Sequence, residues 1–215
     1  MLDTKLIWRV FLWLTLLFFT YLMVKLTLPY LAIGENVAFL RIKRSARTIP
    51  IWQVAFYVHV FTSVFLLIAG LTQFSDYFLK NYKRAHRFIG KSYVFIILLL
   101  SAPSGLVMSF LANGGLISRI AFIMLAFAWF ITTAKAWQTA LNKDFEAHKE
   151  WMIRSFALTL SALTLRAWKY IIAITLAPPP MDMYRAVAWL GWVPNLMLAE
   201  WLIRRKRSTD ASIDD

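Results

Sequence analysis

Residues 142–170, NKDFEAHKEWMIRSFALTLSALTLRAWKY, have the pattern of a helix that crosses a membrane. Asp144 is a suitable N-cap, and acidic residues follow in the first turns, where the helix dipole favours negative charge. Apolar residues then continue to Leu165 with few interruptions, which suits the hydrocarbon core of a bilayer. We therefore expect a membrane-spanning helix here.

One helical face of this stretch is made of small or polar residues, because such residues recur every three or four positions. The face consists of His148, Met152, Ser155, Thr159, Ala162, Arg166 and Lys169. A spanning helix turns such a small or polar face toward protein or water and its apolar face toward lipid. The pattern therefore predicts that the polar members of this set lie inside a bundle.

The composition indicates an integral membrane protein. Of the 215 residues, 60% are hydrophobic and 16% are charged, whereas soluble domains average about 45–50% apolar and about 25% charged residues. The net charge of +13 comes from basic residues at the ends of apolar runs, which favours contact with anionic lipid over nucleic acid. The chain has no cysteine, so disulfides, thiolate-held iron–sulfur clusters and cysteine nucleophiles are excluded.

The apolar runs predict an all-α, polytopic transmembrane helix bundle with six spans, although five or seven also fit. The six lie near residues 8–30, 50–77, 88–112, 117–141, 145–177 and 183–203. Basic residues 204–207 follow the last span, which predicts that both termini face the cytoplasm of a bacterium with the chain in its inner membrane. The basic loop 31–49 is an exception to this rule, and we expect it to form a short helix on the membrane surface.

Three regions are predicted from this pattern. Residues 1–49 form a peripheral N-terminal span with a polar loop, residues 50–205 form the membrane bundle core, and residues 206–215 form a disordered tail.

Two histidine segments resemble each other. Residues 85–93 read AHRFIGKSY and residues 147–156 read AHKEWMIRSF, so each places a histidine and a basic residue before a long apolar run. The similarity indicates either an internal repeat or two helices that begin in the same way at a cytoplasmic surface. In both cases His86 and His148 lie at the same depth on different spans.

This pair has the requirements of a haem site with two axial histidines. Two imidazoles on neighbouring helices at one depth can ligate one haem b iron, and Arg87 and Arg154 are near enough in sequence to pair with its propionates. The alternatives are that the pair binds another anionic ligand or a lipid headgroup, or that both histidines only form hydrogen bonds at the helix starts.

His59 is the only histidine well inside an apolar run, and Gln73 lies on the same face of its helix. A histidine there is a candidate for proton relay, for contact with a quinone carbonyl or for metal ligation, and the alternative is a neutral imidazole bonded to a neighbour. Arg166 is a candidate for holding a carboxylate or phosphate, whereas Lys169 is expected to extend toward the interface.

The segments AHRFIGKSY, Pro103-Ser-Gly105 and AHKEWMIRSFALTLSALTLR resemble a family of predicted bacterial integral membrane proteins known as domain of unknown function 2306, over about residues 50–205. The general plan also resembles b-type membrane cytochromes and ferric-reductase-like bundles, in which histidines on neighbouring helices hold haem. The two-haem members use four axial histidines. This chain has three, so the resemblance implies at most one haem with two axial histidines.

Three functions follow as hypotheses. The leading one is a small electron-transfer protein that binds one haem b through His86 and His148 at the cytoplasmic side, with His59 as a quinone or proton site near the opposite side. The second is a transporter or channel for a small solute, anion or proton. The third is a structural or assembly partner of another membrane complex. No motif of a known catalytic site is present, so no catalytic residue is assigned and enzymatic activity is left open.

Overall fold

The computed structural model describes residues 4–33 and 37–214, and this part of the chain contains eleven α-helices and no strand. The helices are α1 Thr4–Thr27, α2 Arg44–Arg47, α3 Pro50–Gln73, α4 Asp76–Asn81, α5 Lys83–Ile96, α6 Ala102–Ser109, α7 Leu116–Leu141, α8 Phe145–Thr159, α9 Ser161–Thr175, α10 Pro180–Leu190 and α11 Val193–Asp214. The all-α prediction is confirmed.

Six helical stretches within the described residues are long and apolar enough to cross a membrane, as predicted. They are Trp13–Ala32, Pro50–Gln73, Lys83–Ser109, Leu116–Leu141, Phe145–Thr175 and Pro180–Thr209. Successive stretches run in opposite directions. One end of the bundle, called the histidine end, therefore carries α4 and the starts of α5 and α8. The other, called the connector end, carries residues 28–33 and 37–49.

The fifth stretch is two helices and not the single helix expected over residues 145–177. It breaks at Leu160, between α8 and α9. Thr159 ends α8 and its hydroxyl donates to the carbonyl oxygen of Ser155 at 3.0 Å, a hydrogen bond back onto the preceding turn that bends helices. The break divides the polar face in two, because Ser155 and Thr159 are buried whereas Arg166 and Lys169 are exposed.

The bundle is organised around α7, which packs against α5, α6, α8 and α10. Buried side chains on several helices fill the space beside it, among them Leu66, Tyr93, Ile97, Phe156 and Trp192. α3 approaches α8 so closely that a Cβ at Gly70 would collide with the ring of Phe156. The first stretch, Trp13–Ala32, is the least buried of the six: only 17% of the residues in its most apolar segment are buried.

Residues 37–49 form two short helical segments that pack on the connector end of the bundle. A 3₁₀ helix, Ala38–Ile42, precedes α2, and Leu40 is fully buried against Trp52 and Phe56. The hydroxyl of Tyr30 accepts a hydrogen bond from the backbone N–H of Phe39 at 3.1 Å. Apolar residues of this segment therefore contact protein.

Lys43 fastens the same segment to the turn between α6 and α7. Its Nζ donates to the carbonyl oxygen of Leu111 at 2.6 Å and to Oδ1 of Asn113 at 2.7 Å. Burial, with a smaller contribution from the charge of Arg119, lowers the pKa of the Lys43 ammonium to about 8. Lys43, one of the basic residues of this loop, is therefore buried and holds the loop against the bundle through its hydrogen bonds.

At the other end, α11 continues to Asp214, through residues that the sequence predicted as a disordered tail.

Candidate functional site

The first candidate site is the pair of imidazoles at the histidine end. Asp144 caps α8, with its Oδ1 accepting from the N–H of Ala147 at 3.0 Å, and so places His148 in the first turns. Nδ1 of His148 then lies 2.8 Å from the carbonyl oxygen of Ala136 in α7. Because a carbonyl oxygen only accepts, Nδ1 carries the proton and Nε2 keeps a lone pair.

His86 is the second member of this pair and lies near the start of α5. Its Nδ1 is buried and has no hydrogen-bond partner. α5 and α8 both begin at the histidine end and both contact α7. His86 and His148 therefore lie at the same end of the bundle, on two helices that share a neighbour.

The two arginines predicted beside this pair behave differently. Arg87 is exposed, and its Nε donates only to the backbone of Lys83, at 3.4 Å. Arg154 instead forms a two-fold contact with Glu200 of α11, at 2.5 Å and 3.0 Å. Its guanidinium also covers the ring of Trp151, 4.6 Å from the centroid. The guanidinium of Arg154 is occupied by Glu200 and joins α8 to α11. It is therefore unavailable to the haem propionate that the sequence analysis assigned to it.

Gln73 packs at the same end of the bundle. Its Nε2 donates to Thr72 Oγ1 at 3.2 Å, and its Oε1 lies 2.9 Å from the position that a Cβ on Gly90 would take. Gly90 is one turn along α5 from His86. Gln73 therefore fills the space beside this turn and does not contact His59.

A second group of polar side chains lies in the middle of the bundle and joins α5, α7 and α8. The Tyr93 hydroxyl lies 2.7 Å from Thr159 Oγ1 and 3.3 Å from Ser155 Oγ. Trp129 Nε1 donates to Thr159 Oγ1 at 3.0 Å, and Thr133 Oγ1 lies 2.7 Å from Ser155 Oγ. All five residues are buried, so Ser155 and Thr159 lie in the interior of the bundle.

The hydrogen atoms of this network can be assigned from its acceptors. Thr159 and Thr133 donate to the backbone carbonyls of Ser155 and Trp129, at 3.0 Å and 2.8 Å. Thr159 Oγ1 then accepts from Tyr93 and Trp129, and Thr133 Oγ1 accepts from Ser155. Every donor is used. The network therefore fixes how three helices fit together and offers no free donor to a ligand.

The third candidate is His59, in the connector half of α3. Its Nδ1 lies 2.9 Å from the carbonyl oxygen of Ser101, so its Nε2 also keeps a lone pair. Gly105 makes room for the ring, because a Cβ there would lie 3.0 Å from His59 Cε1. The edge of Trp129 closes another side, with 6.4 Å between ring centroids.

The third span is irregular where it meets His59. A π-helical turn, Ile97–Ser101, separates α5 from α6, and Pro103 in the next turn has no N–H to continue the regular hydrogen-bond pattern. Ser101 supplies both a carbonyl to His59 and a hydroxyl that donates to Thr62 Oγ1 at 2.7 Å. The π-helical turn and the residues that follow it therefore position His59.

Arg166 and Lys169 are both exposed. Nη1 of Arg166 donates to the carbonyl oxygen of Ala162 at 2.6 Å. Both residues lie in α9, the half of the fifth stretch that runs toward the connector end and away from His86 and His148.

The sequence did not identify Tyr93, Trp129 or Thr133 as members of the central network. The polar face of α8 predicted that partners exist, but the spacing within one helix does not say which residues of other helices supply them.

Within residues 4–33 and 37–214, no three His, Asp or Glu side chains gather into a metal site. Ligation by His86 and His148 alone would suit a haem iron, which takes its other four ligands from the porphyrin.

In the comparison with known families, residues 56–203 match a family described as "Predicted membrane protein (DUF2306)". No curated protein matches the chain, and no solved structure does so either.

Proposed function

Since the chain belongs to the DUF2306 family of predicted membrane proteins, whose description names no activity, we propose from the site itself that it is a small electron-transfer protein binding one haem b between His86 and His148. The observation that carries the proposal is the orientation of His148, whose Nδ1 donates to the Ala136 carbonyl at 2.8 Å and whose Nε2 is left as a ligand. A backbone carbonyl behind Nδ1 is the usual support of a metal-ligating histidine and raises its basicity.

His86 supports the proposal in a second way. Its Nδ1 has no hydrogen-bond partner, so the ring can direct either nitrogen toward an iron without breaking an existing bond. It reaches the site from a different helix than His148, as two axial ligands on opposite faces of a haem require.

The haem propionates would pair with exposed cations of α5 and not with Arg154. These cations are Lys83, Arg84, Arg87 and Lys91, and none of them forms an ion pair within the described part of the chain. On the side of the same end formed by α8 and α11, Arg154, Lys206 and Arg207 pair with Glu200, Glu146 and Glu150. The unpaired cations of α5 therefore supply positive charge beside His86.

The same cations support a location for the site. We place the protein in a bacterial inner membrane with both termini and the histidine end in the cytoplasm, since basic segments 80–91 and 204–207 lie at that end. Anionic lipid headgroups would surround the exposed cations of α5.

The transporter alternative receives less support. It requires a path through the middle of the bundle, and the buried network of Tyr93, Ser155 and Thr159 has every donor used within the protein. The assembly-partner alternative rests on no contact that the described residues show.

The test is an absorption spectrum of the detergent-purified protein, oxidised and then reduced with dithionite. We expect a Soret band and sharp α-bands in the reduced protein, lost in His86→Ala and in His148→Ala and kept in His59→Ala, which removes the third histidine. A wild-type protein that stays colourless after haem is supplied, or haem retained by both variants, would refute the proposal.

A further inference from the structure

The junction between α4 and α5 forms an open cavity of about 590 Å³ at the histidine end. Six consecutive residues, 80–85, line it, so its walls come from the end of α4 and the start of α5. Tyr82 lies between the two helices with a non-helical backbone, φ −127° and ψ 50°, which turns the chain beside the cavity. The junction is therefore a cleft with room for a ligand, unlike the smooth surface of a continuous helix.

Three of the six lining residues are cations, and none of the six is acidic. The ammonium groups of Lys80 and Lys83 and the guanidinium of Arg84 are exposed, and none forms an ion pair within the described part of the chain. Three like charges around one cleft raise the local positive potential, which attracts an anion.

A second cavity at the same end shows the contrast. It lies between α8 and α11 and is lined by both acidic and basic residues. There Lys206 pairs with Glu146 and Arg207 pairs with Glu150. The protein supplies its own counter-charges in that cavity, whereas the counter-charge for the α4–α5 cavity must come from a ligand.

Aromatic residues place the α4–α5 cavity at the level of lipid headgroups. Tyr82 lines it and is exposed, and its ring contacts those of Tyr77 and Phe78, with centroids 6.3 Å and 5.6 Å away. Exposed tyrosines at the end of a span are typical of the membrane–water interface. The third stretch that is apolar enough to cross a membrane begins at Lys83, in the wall of the cavity.

Beyond the cavity, toward the middle of the bundle, α5 carries an apolar surface that the protein leaves uncovered. Phe88 and Phe95 lie about one turn and about three turns after Arg84, on the same face of the helix. Their side chains are 73% and 47% exposed. Cations and then exposed aromatic rings thus follow each other along one face, which is the order of phosphate and acyl chains in a phospholipid.

We propose that this cavity binds one anionic phospholipid. Lys80, Lys83 and Arg84 hold its phosphate, and its acyl chains lie along Phe88 and Phe95. Charge complementarity selects a lipid with a net negative charge, because a zwitterionic headgroup would bring a further cation to a site that already has three. The exposed rings select a lipid over a free phosphate or a soluble acidic protein.

The inference goes beyond the proposed function and does not depend on haem. Arg87 and Lys91, the other two exposed cations of α5, do not line the cavity. A bound lipid therefore leaves both of them for haem propionates, and each proposal can fail while the other holds.

The experiment measures binding of dioleoylphosphatidylglycerol and dioleoylphosphatidylcholine to the detergent-purified protein by native mass spectrometry. The two lipids have the same acyl chains and differ in net charge. We expect one phosphatidylglycerol to bind in preference to phosphatidylcholine. Lys80→Gln combined with Lys83→Gln should weaken phosphatidylglycerol binding about 30-fold, or about fivefold for each charge removed, and leave phosphatidylcholine binding unchanged.

Lys143→Gln combined with Lys149→Gln is the matched control. Both lysines are exposed at the same end of the bundle and outside the cavity, and the net charge falls by the same amount. This variant should bind phosphatidylglycerol as the wild type does. Equal weakening in the two double variants would overturn the site, because the effect would then belong to the overall surface charge. All four lysines are exposed, so both variants should keep the wild-type fold.

Two further measurements test the choice of a lipid. Phe88→Ala should weaken phosphatidylglycerol binding severalfold, because an acyl chain loses the surface of the ring, whereas Phe145→Ala, at an equally exposed ring in α8, should not. Glycerol phosphate, which has no acyl chain, should bind far more weakly, and equal binding would overturn the assignment to a lipid. A polyglutamate peptide that binds through Lys80 and Lys83, in a protein with no preference for phosphatidylglycerol, would overturn it in favour of an acidic protein.

Discussion

Nδ1 of His148 donates to the carbonyl oxygen of Ala136 across 2.8 Å, and this contact joins α8 to α7 next to the turn between them. It serves the fold and the proposed site together. It secures the first turns of α8, and it fixes the tautomer that leaves Nε2 available. His86, its neighbour, has no equivalent bond at Nδ1. The two histidines should therefore differ in their effect on stability, although the proposed haem site would use both.

In haem-free protein, His148→Ala should lower the free energy of unfolding by about 1 kcal/mol through loss of this hydrogen bond. His86→Ala should lower it less, because no hydrogen bond to Nδ1 is lost. Thermal unfolding in detergent, followed by circular dichroism, would compare the two variants. An equal loss in both would show that the Ala136 contact contributes nothing to stability.

Tyr93→Phe should destabilise the bundle by about 1–2 kcal/mol. The substitution removes the hydroxyl that donates to Thr159 at 2.7 Å, at a site where no water can replace it, because Tyr93 is fully buried. Tyr77→Phe is the control, since Tyr77 is 69% exposed, and it should leave the unfolding temperature unchanged. If the two variants unfold at the same temperature, the central network does not hold the helices together.

The six spans were predictable because hydrophobicity and a helical period are local properties of the chain. The inward face of Ser155 and Thr159 followed from the same period. The break at Leu160 did not, because it depends on a hydrogen bond within α8 and on how the two halves pack. The residues that bond to the polar face of α8 could not be predicted either, because Thr159 forms a hydrogen bond with Tyr93, which lies 66 positions earlier in the chain. Arg154 likewise pairs with Glu200, 46 positions later.

Gly70→Ala should be clearly destabilising, by about 1–3 kcal/mol, whereas Gly90→Ala should be nearly neutral. At Gly70 the new methyl group would enter the space of the Phe156 ring, a packed core side chain that cannot move without disturbing α8. At Gly90 it would meet only Oε1 of Gln73, the far end of a flexible side chain. Unfolding temperatures of the two variants test this, and an equal effect would mean that α3 and α8 do not pack as closely as described.

Arg154→Met should loosen α11 from α8, because it removes the two-fold contact with Glu200 and leaves that carboxylate without its guanidinium. A loss of about 1–3 kcal/mol is expected. Lys149→Met is the matched control, since Lys149 lies exposed on the same helix as Arg154 and removal of an exposed charge changes stability by about 0–1 kcal/mol. Faster proteolysis within α11 in the first variant alone would confirm the difference. Equal proteolysis in both would contradict it.

Lys43 should make the stability of the connector end depend on pH. Its pKa is lowered from 10.5 to about 8 in the folded protein, with burial as the main cause. Between these two values the unfolded chain binds a proton at Lys43 that the folded protein does not, so the free energy of unfolding should rise with pH across this window. Below about pH 8 both states bind the proton, and the contribution becomes constant.

Lys43→Met removes the titrating group and keeps most of the side-chain volume. The stability of the wild type relative to this variant should therefore increase from pH 8 to pH 10, measured by chemical unfolding at each pH. A difference that stays constant, or falls, would mean that the ammonium is not buried against Leu111 and Asn113 as the structure has it.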